Sequence, residues 1–585
     1  MNRVPLPHHL GWSLAVGLGI GALEVGLWST PLLGLSAAEL LTWLGVGAAL
    51  SGAFAAAVGG AASAAGAAPY RPVTAAMVGL HSALWYRHAV FDNQLPISDP
   101  RVGGGLLFCG VMALATGWWL GPWLGRRRPA AALALGLLGA VGAAWRSLPA
   151  SAGVSGDRPN VVLITLDTLR ADRLSVYGGP NPTPALERLA REGALFEQAF
   201  STAPTTEPSH LAILSGEPPY ASGVVTLGVP LGDRPGLVPV ALRERGWTTA
   251  GFVSAYPLHS KFGWDQGMDR YDDDFGAVAG LHRLALVRLW DQLTLPAGVL
   301  KESPADRALA RALRFLDEPR DAPFFLWLHL FDPHAPYQAP GHAFDPPTDG
   351  APLALPPYWP EAHRAVTSAD WLVGAYDAEA RYVDAAVGAV LDKLAEQGSL
   401  DRTVVAVTAD HGESLTEHGY LFDHGENLLD PSLRVPLLLR YPPAVVAGLR
   451  VPCQVGNHSV AATLLGLAGA EDGRPRRGAD LGPALGGEPC DDQPVIASTV
   501  AARYTATPPV DHALRWGGRK LVLHGAGGRS CYDLEADPGE SAPAAEGCES
   551  LEKTLRAALA RGVAPLPITE DEESLEALRA LGYLE

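Results

Sequence analysis

Asn160-Val-Val-Leu-Ile-Thr-Leu-Asp167 is a short apolar, β-branched run ending in a carboxylate, and residues 404–411, Val-Val-Ala-Val-Thr-Ala-Asp-His, repeat the pattern. Uninterrupted runs of this kind suit strands that are covered on both faces. Around them the chain alternates strand-like and helix-like stretches. Strands are expected over 161–166, 248–254, 324–329, 403–408 and 435–439. Helices are expected over 183–192, 305–316 and 371–396. The alternation predicts an α/β fold, a doubly wound and mostly parallel sheet with helices on both faces. Ligands bind such sheets beyond the carboxyl ends of the strands. Asp167 and Asp410 lie at two of those ends.

Between the two runs, Thr205-Thr206-Glu207-Pro208-Ser209-His210 sets a hydroxyl ahead of a helical pattern over 209–214. Proline is favoured in a first helical turn and threonine at an N-cap, so Thr206 is expected as the cap. There the backbone N–H groups and the helix dipole stabilise an anion. A threonine hydroxyl is a poor nucleophile until a metal or a base lowers its pKa. Asp167, Asp410 and His411 are residue types that hold such a metal, with Thr206 a further ligand once deprotonated. Taken singly, Thr206 is an ordinary cap and Asp410 an ordinary strand-end carboxylate. Together they point to a metal-activated nucleophile.

The chain has 585 residues, more than one ordinary domain holds. Its formal charge of −18 argues against a nucleic-acid partner. Composition shifts near residue 150. Upstream, charge is scarce, and five apolar spans near 10–33, 40–64, 72–91, 104–124 and 129–147 each have the length of about 20 residues that a bilayer crossing needs. Arg3, Arg71 and Arg126-Arg127-Arg128 fall on one side of these spans, and Arg87 and Arg101 on the other, beside Asp92 and Asp99. The positive-inside rule then places the N-terminus in the cytoplasm and everything after residue 150 outside. The expected organisation is a transmembrane helical region (1–150), a linker (151–158), a catalytic domain (159–499) and a C-terminal α+β subdomain with a tail helix (500–585). The expected location is the inner membrane, multi-pass, with the catalytic domain on the periplasmic side.

Cys453, Cys490, Cys531 and Cys548 all lie in the exported part, and four cysteines permit three pairings. Cys531 and Cys548, near in sequence, are the first choice for a bridge; free buried thiols are the alternative. Near them, residues 519–523 and 531–534 suit a short antiparallel pair. Residues 574–583 carry helical apolar spacing at Leu575, Leu578 and Leu581.

The motifs of the exported part, in their order, resemble those of the sulfatase branch of the alkaline phosphatase superfamily. Leu166-Asp167-Thr168-Leu169-Arg170-Ala171-Asp172 with Tyr177-Gly178 resembles the opening strand and loop of that family. Thr206-x-Pro208-Ser209-His210 with Leu214-Ser215-Gly216 resembles its nucleophile motif. Residues 324–337, ending Asp332-Pro333-His334-Ala335-Pro336-Tyr337, resemble its central block, and residues 376–384 its long helix. Thr408-Ala409-Asp410-His411-Gly412-Glu413, His418-Gly419, His424-Gly425 and Arg434-Val435-Pro436 complete the series. The resemblance implies Asp167, Thr206, Asp410 and His411 as metal ligands and Thr206 as nucleophile. It implies His334 and His424 for binding the transferred oxyanion or protonating the leaving group. His210 joins the catalytic set; His329 and His418 are weaker candidates.

The departures from the family pattern have a direction. Sulfatases proper convert a cysteine or serine to formylglycine, which Thr206 cannot become. His210 replaces the usual arginine, Thr168 replaces a second aspartate, and no Gly-Lys-Trp-His segment is present. Two carboxylates, an imidazole and an alkoxide make a softer site than an all-oxygen calcium cage. A divalent ion is therefore expected, zinc or manganese ahead of calcium. His329, Asp332, His334 and His424 could contribute to a second metal. The expected activity is hydrolysis of sulfate or phosphate esters on a small-molecule, glycan or lipid substrate. The alternative is a transferase moving a phospho-group onto an envelope lipid or glycan, similar in layout to phosphoethanolamine transferases.

Overall fold

In the computed structural model of the chain, residues 158–585 are described, except 274, 276–304, 338, 340–344, 357–358, 360–363, 501–508, 545, 570, 573, 576–577 and 579–585. The five expected apolar spans lie outside the described residues, as does most of the expected tail helix. Among the described residues no helix is long and apolar enough to cross a membrane.

Strand β1 (Asn160–Leu166) is the centre of a nine-stranded sheet. It pairs in parallel with β5 (Phe324–Leu330) on one side and β6 (Thr403–Ala409) on the other. All seven residues of each are buried, as their apolar runs require. Beyond β5 the sheet continues in parallel through β3 (Thr248–Phe252) to β4 (Arg270–Asp272). Beyond β6 it turns mixed. Strand β8 (Leu437–Arg440) is antiparallel to β6, and β2 (Ala194–Phe200) is antiparallel to β8. Strand β2 also carries β7 (Arg434–Val435) antiparallel and β9 (Leu449–Gly456) parallel. A parallel neighbour needs a crossover that returns the chain to its starting end. The segment from β6 to β7 and β8 holds turns, a three-residue 3-10 helix (Glu417–Gly419) and a four-residue helix (Asp430–Leu433), and the chain comes back antiparallel.

Two sets of helices pack on themselves and on the sheet. One comprises α1 (Pro184–Glu192), α4 (Ala305–Asp317) and α5 (Ala369–Glu396); the other comprises α2 (Thr206–Ser215), α3 (Val238–Glu244) and α6 (Ser459–Leu467). Their starts have local causes. Pro184 opens α1, and the Asp384 carboxylate of α5 accepts from Ala185 N at 3.1 Å and Leu186 N at 2.9 Å, putting an anion on the helix N-terminus. The Ser368 hydroxyl caps α5 by accepting from Trp371 N.

A second sheet is antiparallel, in the order β10 (Val495–Val500), β11 (Val510–Trp516), β12 (Arg519–Leu523), β13 (Arg529–Asp533). The expected pairing of β12 with β13 is present. Helix α7 (Glu549–Leu559) covers β11 and β12 through Leu551 and Leu555, packed with Leu514 and Leu521. Cys531 and Cys548 form the expected disulfide, and Cys453 pairs with Cys490.

Candidate active site

The ends of β1 and β6 are adjacent, and their register brings Asp167 beside Asp410. Asp167 N donates to Leu330 O at 2.9 Å, so the chain leaves β1 still tied to β5. Thr168 then adopts φ +54°, a left-handed conformation that costs a β-branched residue roughly 1–3 kcal/mol. The turn aims Thr168 N at Asp410 Oδ1, at 3.3 Å, and Tyr376 Oη holds it by donating to Thr168 O at 2.8 Å. Asp410 Oδ1 also accepts from His411 N at 2.8 Å, which leaves Oδ2 facing the centre.

Gly412 follows because a Cβ there would lie 2.2 Å from the carbonyl oxygen of Pro431. His411 Nδ1 donates to Gly412 O at 2.9 Å. A carbonyl only accepts, so this bond fixes the tautomer and turns a basic Nε2 toward the carboxylates. His411 Nε2 lies 3.5 Å from Asp410 Oδ2 and 3.7 Å from Asp167 Oδ1, all three residues fully buried. Two carboxylates and a lone pair facing one another repel unless a cation lies among them. Burial, with the charge of Asp167 added, pushes the Asp410 carboxyl well above the usual carboxylate range. This donor set fits a divalent metal.

Helix α2 starts one residue earlier than expected. Ser209 N donates to Thr205 O at 3.2 Å, so Thr205 is the N-cap and Thr206 the first helical residue. Pro208, which lacks an N–H, is tolerated at either alignment of the first turn. The Thr206 hydroxyl is buried and makes no hydrogen bond among the described residues. The first turn is held on three sides. Glu207 is fully buried and accepts from Gly228 N at 2.6 Å and Val229 N at 3.1 Å, and burial raises its pKa well above normal. The Ser209 hydroxyl donates to Asp410 O at 2.6 Å. His210 Nδ1 donates to Thr206 O at 2.8 Å and lies 3.5 Å from Asp410 Oδ2.

The other expected histidines divide. His329 is fully buried with Nε2 3.3 Å from Asp167 Oδ2, and burial lowers its pKa to about 3. His334 donates from Nδ1 to Ala335 O at 2.7 Å and stacks on Phe331. Its ring centre is 4.9 Å from that of His424, which lies 4.5 Å from His411. His424 Nδ1 is 3.5 Å from Glu413 Oε1, and Glu413 Oε2 accepts from Tyr337 Oη at 2.8 Å. Asp332 is committed elsewhere: it accepts from Ala305 N at 2.7 Å and pairs with Glu379 of α5, holding α4 and α5 together. His418 stands on an exposed turn.

Asn457 was invisible in the sequence. It is fully buried just after β9, and its Nδ2 donates to Ser209 Oγ at 2.8 Å, Ser201 Oγ at 3.2 Å and Asp410 O at 3.4 Å. Its Oδ1 accepts from Thr202 N at 3.2 Å. One amide thus joins the segment before α2 to the end of β6. Arg170 ties the loop after β1 to the loop after β6, donating to Asp172, Glu417 and Glu413 O.

Comparison with known proteins agrees with this architecture. The chain is 27% identical to the choline-sulfatase of Rhizobium meliloti, over 66% of this chain and 83% of that protein. Among solved structures it is similar to the phosphonate monoester hydrolase of Agrobacterium radiobacter, with a TM-score of 0.57 and 21% identity, covering 69% of this chain and 96% of that one. It is also similar to a protein solved with its substrate D-glucosamine-2-N,6-O-disulfate, with a TM-score of 0.55 and 21% identity, covering 69% and 97%. These two likenesses show the fold. The sulfatase family model matches residues 159–470, more than half of the chain and all of the site just described, and the chain belongs to the sulfatase family.

Proposed function

We propose that the chain is a metal-dependent hydrolase of sulfate or phosphate esters with Thr206 as its nucleophile. The observation that carries this reading is the buried Thr206 hydroxyl, without a hydrogen bond among the described residues, on a helix turn bonded to the Asp410 backbone. Asp167, Asp410 and His411 would hold the ion, with Thr206 joining once deprotonated; zinc or manganese suits these donors better than calcium. Such an ion supplies Lewis acidity and a lowered pKa for the nucleophile.

Thr206 loses its hydrogen to water, Oγ attacks the sulfur or phosphorus, and the bond to the ester oxygen breaks on the opposite side. The departing oxygen takes a proton from His424, whose ring lies 4.5 Å from that of His411, or from His334 beside it. Water then attacks the threonine ester, releases sulfate or phosphate and restores the hydroxyl. Sulfated small molecules or glycans are the favoured substrates, because the family and its choline-sulfatase relative are named for sulfate esters. Residues 1–150 would anchor the domain on the extracytoplasmic side of a membrane. The length of the apolar spans supports this, as do two disulfides, which persist in oxidising compartments.

The test assays the full-length chain on para-nitrophenyl sulfate, para-nitrophenyl phosphate and bis(para-nitrophenyl) phosphate, with bound metal measured. Turnover abolished by Thr206→Ala supports the reading. Full turnover in Thr206→Ala overturns it. Turnover that appears only when a lipid phosphodiester donor and a hydroxyl acceptor are supplied replaces hydrolysis with transfer.

A further inference from the structure

His210 stands four residues after the proposed nucleophile, where the family pattern has arginine. Its two ring nitrogens both have partners, and the direction of each bond can be worked out. Nδ1 faces Thr206 O at 2.8 Å, and a carbonyl oxygen only accepts, so Nδ1 carries a hydrogen. Nε2 faces Thr165 Oγ1 at 3.0 Å. That hydroxyl also faces Trp327 Nε1, again at 3.0 Å, and an indole N–H only donates. Thr165 therefore accepts from Trp327 and has its own hydrogen to give to His210 Nε2. The ring sits fully buried among Trp264, Trp327 and His329, where the buried Thr165 hydroxyl hydrogen has His210 Nε2 as its acceptor.

We propose that Trp327, Thr165 and His210 form a one-way hydrogen-bond relay that positions Thr206 for attack, His210 being a positioning residue and not the base. The inference rests on Thr206 being the nucleophile. Each member has a reason to be where it is. Thr165 lies on β1 two residues before Asp167, whose N–H still bonds Leu330 O of β5, so both side chains leave the same face of the sheet. Trp327 and His329 alternate in the same way on β5, and Thr165 is in register with His329. The relay thus runs from the face that carries Asp167 into the first turn of α2. A neutral His210 whose Nε2 lone pair is occupied has no site left to take the hydrogen of Thr206. The same bonds remove His210 from metal binding, although its Nδ1 lies near Asp410 Oδ2, because that nitrogen already carries a hydrogen. The charge of the family's arginine is replaced by a fixed, uncharged strut.

The relay makes opposite demands on two substitutions at one position. Thr165→Val keeps the shape and removes the hydroxyl; Thr165→Ser keeps the hydroxyl and removes a methyl. In the full-length protein, on whichever para-nitrophenyl ester it cleaves, Thr165→Val should lower kcat about 10- to 100-fold with KM within about twofold, and Thr165→Ser should stay near wild type. A packing role would give the reverse order, and wild-type kcat in Thr165→Val overturns the relay. Thr206→Ala run beside them separates the two ideas. If it is dead while Thr165→Val is fully active, only the relay fails; if it is fully active, the nucleophile reading fails and the relay with it. A readout independent of turnover is the ring tautomer, seen by nitrogen NMR of histidine-labelled protein and assigned by its loss in His210→Asn. A neutral ring protonated on Nδ1 is expected. Protonation on Nε2 alone, or on both nitrogens, overturns the relay.

Discussion

At the residue scale, the candidate site gathers two carboxylates and an imidazole at the ends of β1 and β6. Thr206→Ala should lower kcat by about a thousandfold or more, whereas Thr206→Ser, which keeps the hydroxyl, should keep most of the activity. Initial rates on the best aryl ester check this. Asp410→Asn is expected to weaken metal binding more than about 100-fold, since it removes a ligand as well as the charge that balances the ion. Equilibrium dialysis against zinc and manganese measures that without any assay of turnover. Asp167, Asp410 and His411 were legible in the sequence because a carboxylate closing an apolar β-branched run is a local signal. The cap of α2 was misplaced by one residue, because Pro208 is compatible with either alignment and only the bond from Ser209 N to Thr205 O decides it. Thr165 and Asn457 left no local trace. A threonine in a strand and an asparagine in a turn are ordinary there, and what distinguishes them is the partners that folding supplies.

At the scale of elements, the turn between β9 and α6 is the least expected support of the site. Asn457→Ala would leave the Ser201 and Ser209 hydroxyls short of a donor and Thr202 N short of an acceptor, at a cost of roughly 1–3 kcal/mol. The urea midpoint should fall, and kcat should fall with it, because the same amide joins α2 to the end of β6. The next residue, His458, makes the turn sensitive to acid. It is buried, its Nδ1 has no hydrogen bond among the described residues, and burial lowers its pKa to about 4. The unfolded chain binds a proton to this ring below about pH 6.5, and the folded chain does so only below about pH 4. Stability from this group is therefore complete above about pH 6.5 and is lost as the pH falls toward 4, by about 3 kcal/mol in all. His458→Gln should flatten that acid limb, read as the difference in Tm between neutral and mildly acidic buffer. An unchanged pH dependence would show that the ring is not the group responsible.

At the scale of the molecule, the small antiparallel sheet is tied to the site by a buried charge cluster. Lys520 of β12 is fully buried, with Nζ 2.7 Å from Asp430 and 2.6 Å from Glu540; Glu540 Oε2 accepts from Asp430 N at 2.6 Å. Asp430 begins the short helix whose Ser432 and Leu433 carbonyls accept from Gly412 N and Ser201 N. The Thr499 hydroxyl of β10 donates to Gly425 O, beside His424. The segment that carries the site histidines is thus clamped from the second sheet. Lys520→Met leaves Glu540 buried without its cation and Asp430 with Arg515 alone, 3.4 Å away, and should cost about 3–5 kcal/mol. Urea unfolding checks the loss, and a lowered kcat in the protein that remains folded would show that the clamp reaches the site.

The sequence by itself determined the α/β class, the strand ends that carry Asp167 and Asp410-His411 and the family resemblance, and it favoured the pairing of Cys531 with Cys548 that the structure holds. These are local or short-range features, written as runs, caps and spacings. The tertiary structure decided the antiparallel return at β8, the commitment of Asp332 to the α4–α5 junction and the exclusion of His418 from the centre. It also decided which groups Thr165, Trp327 and Asn457 bond around the first turn of α2. Each of these depends on which hydrogen-bonding group faces which across the sheet. That is set by register and by burial, where a polar atom must find a partner from a distant part of the chain.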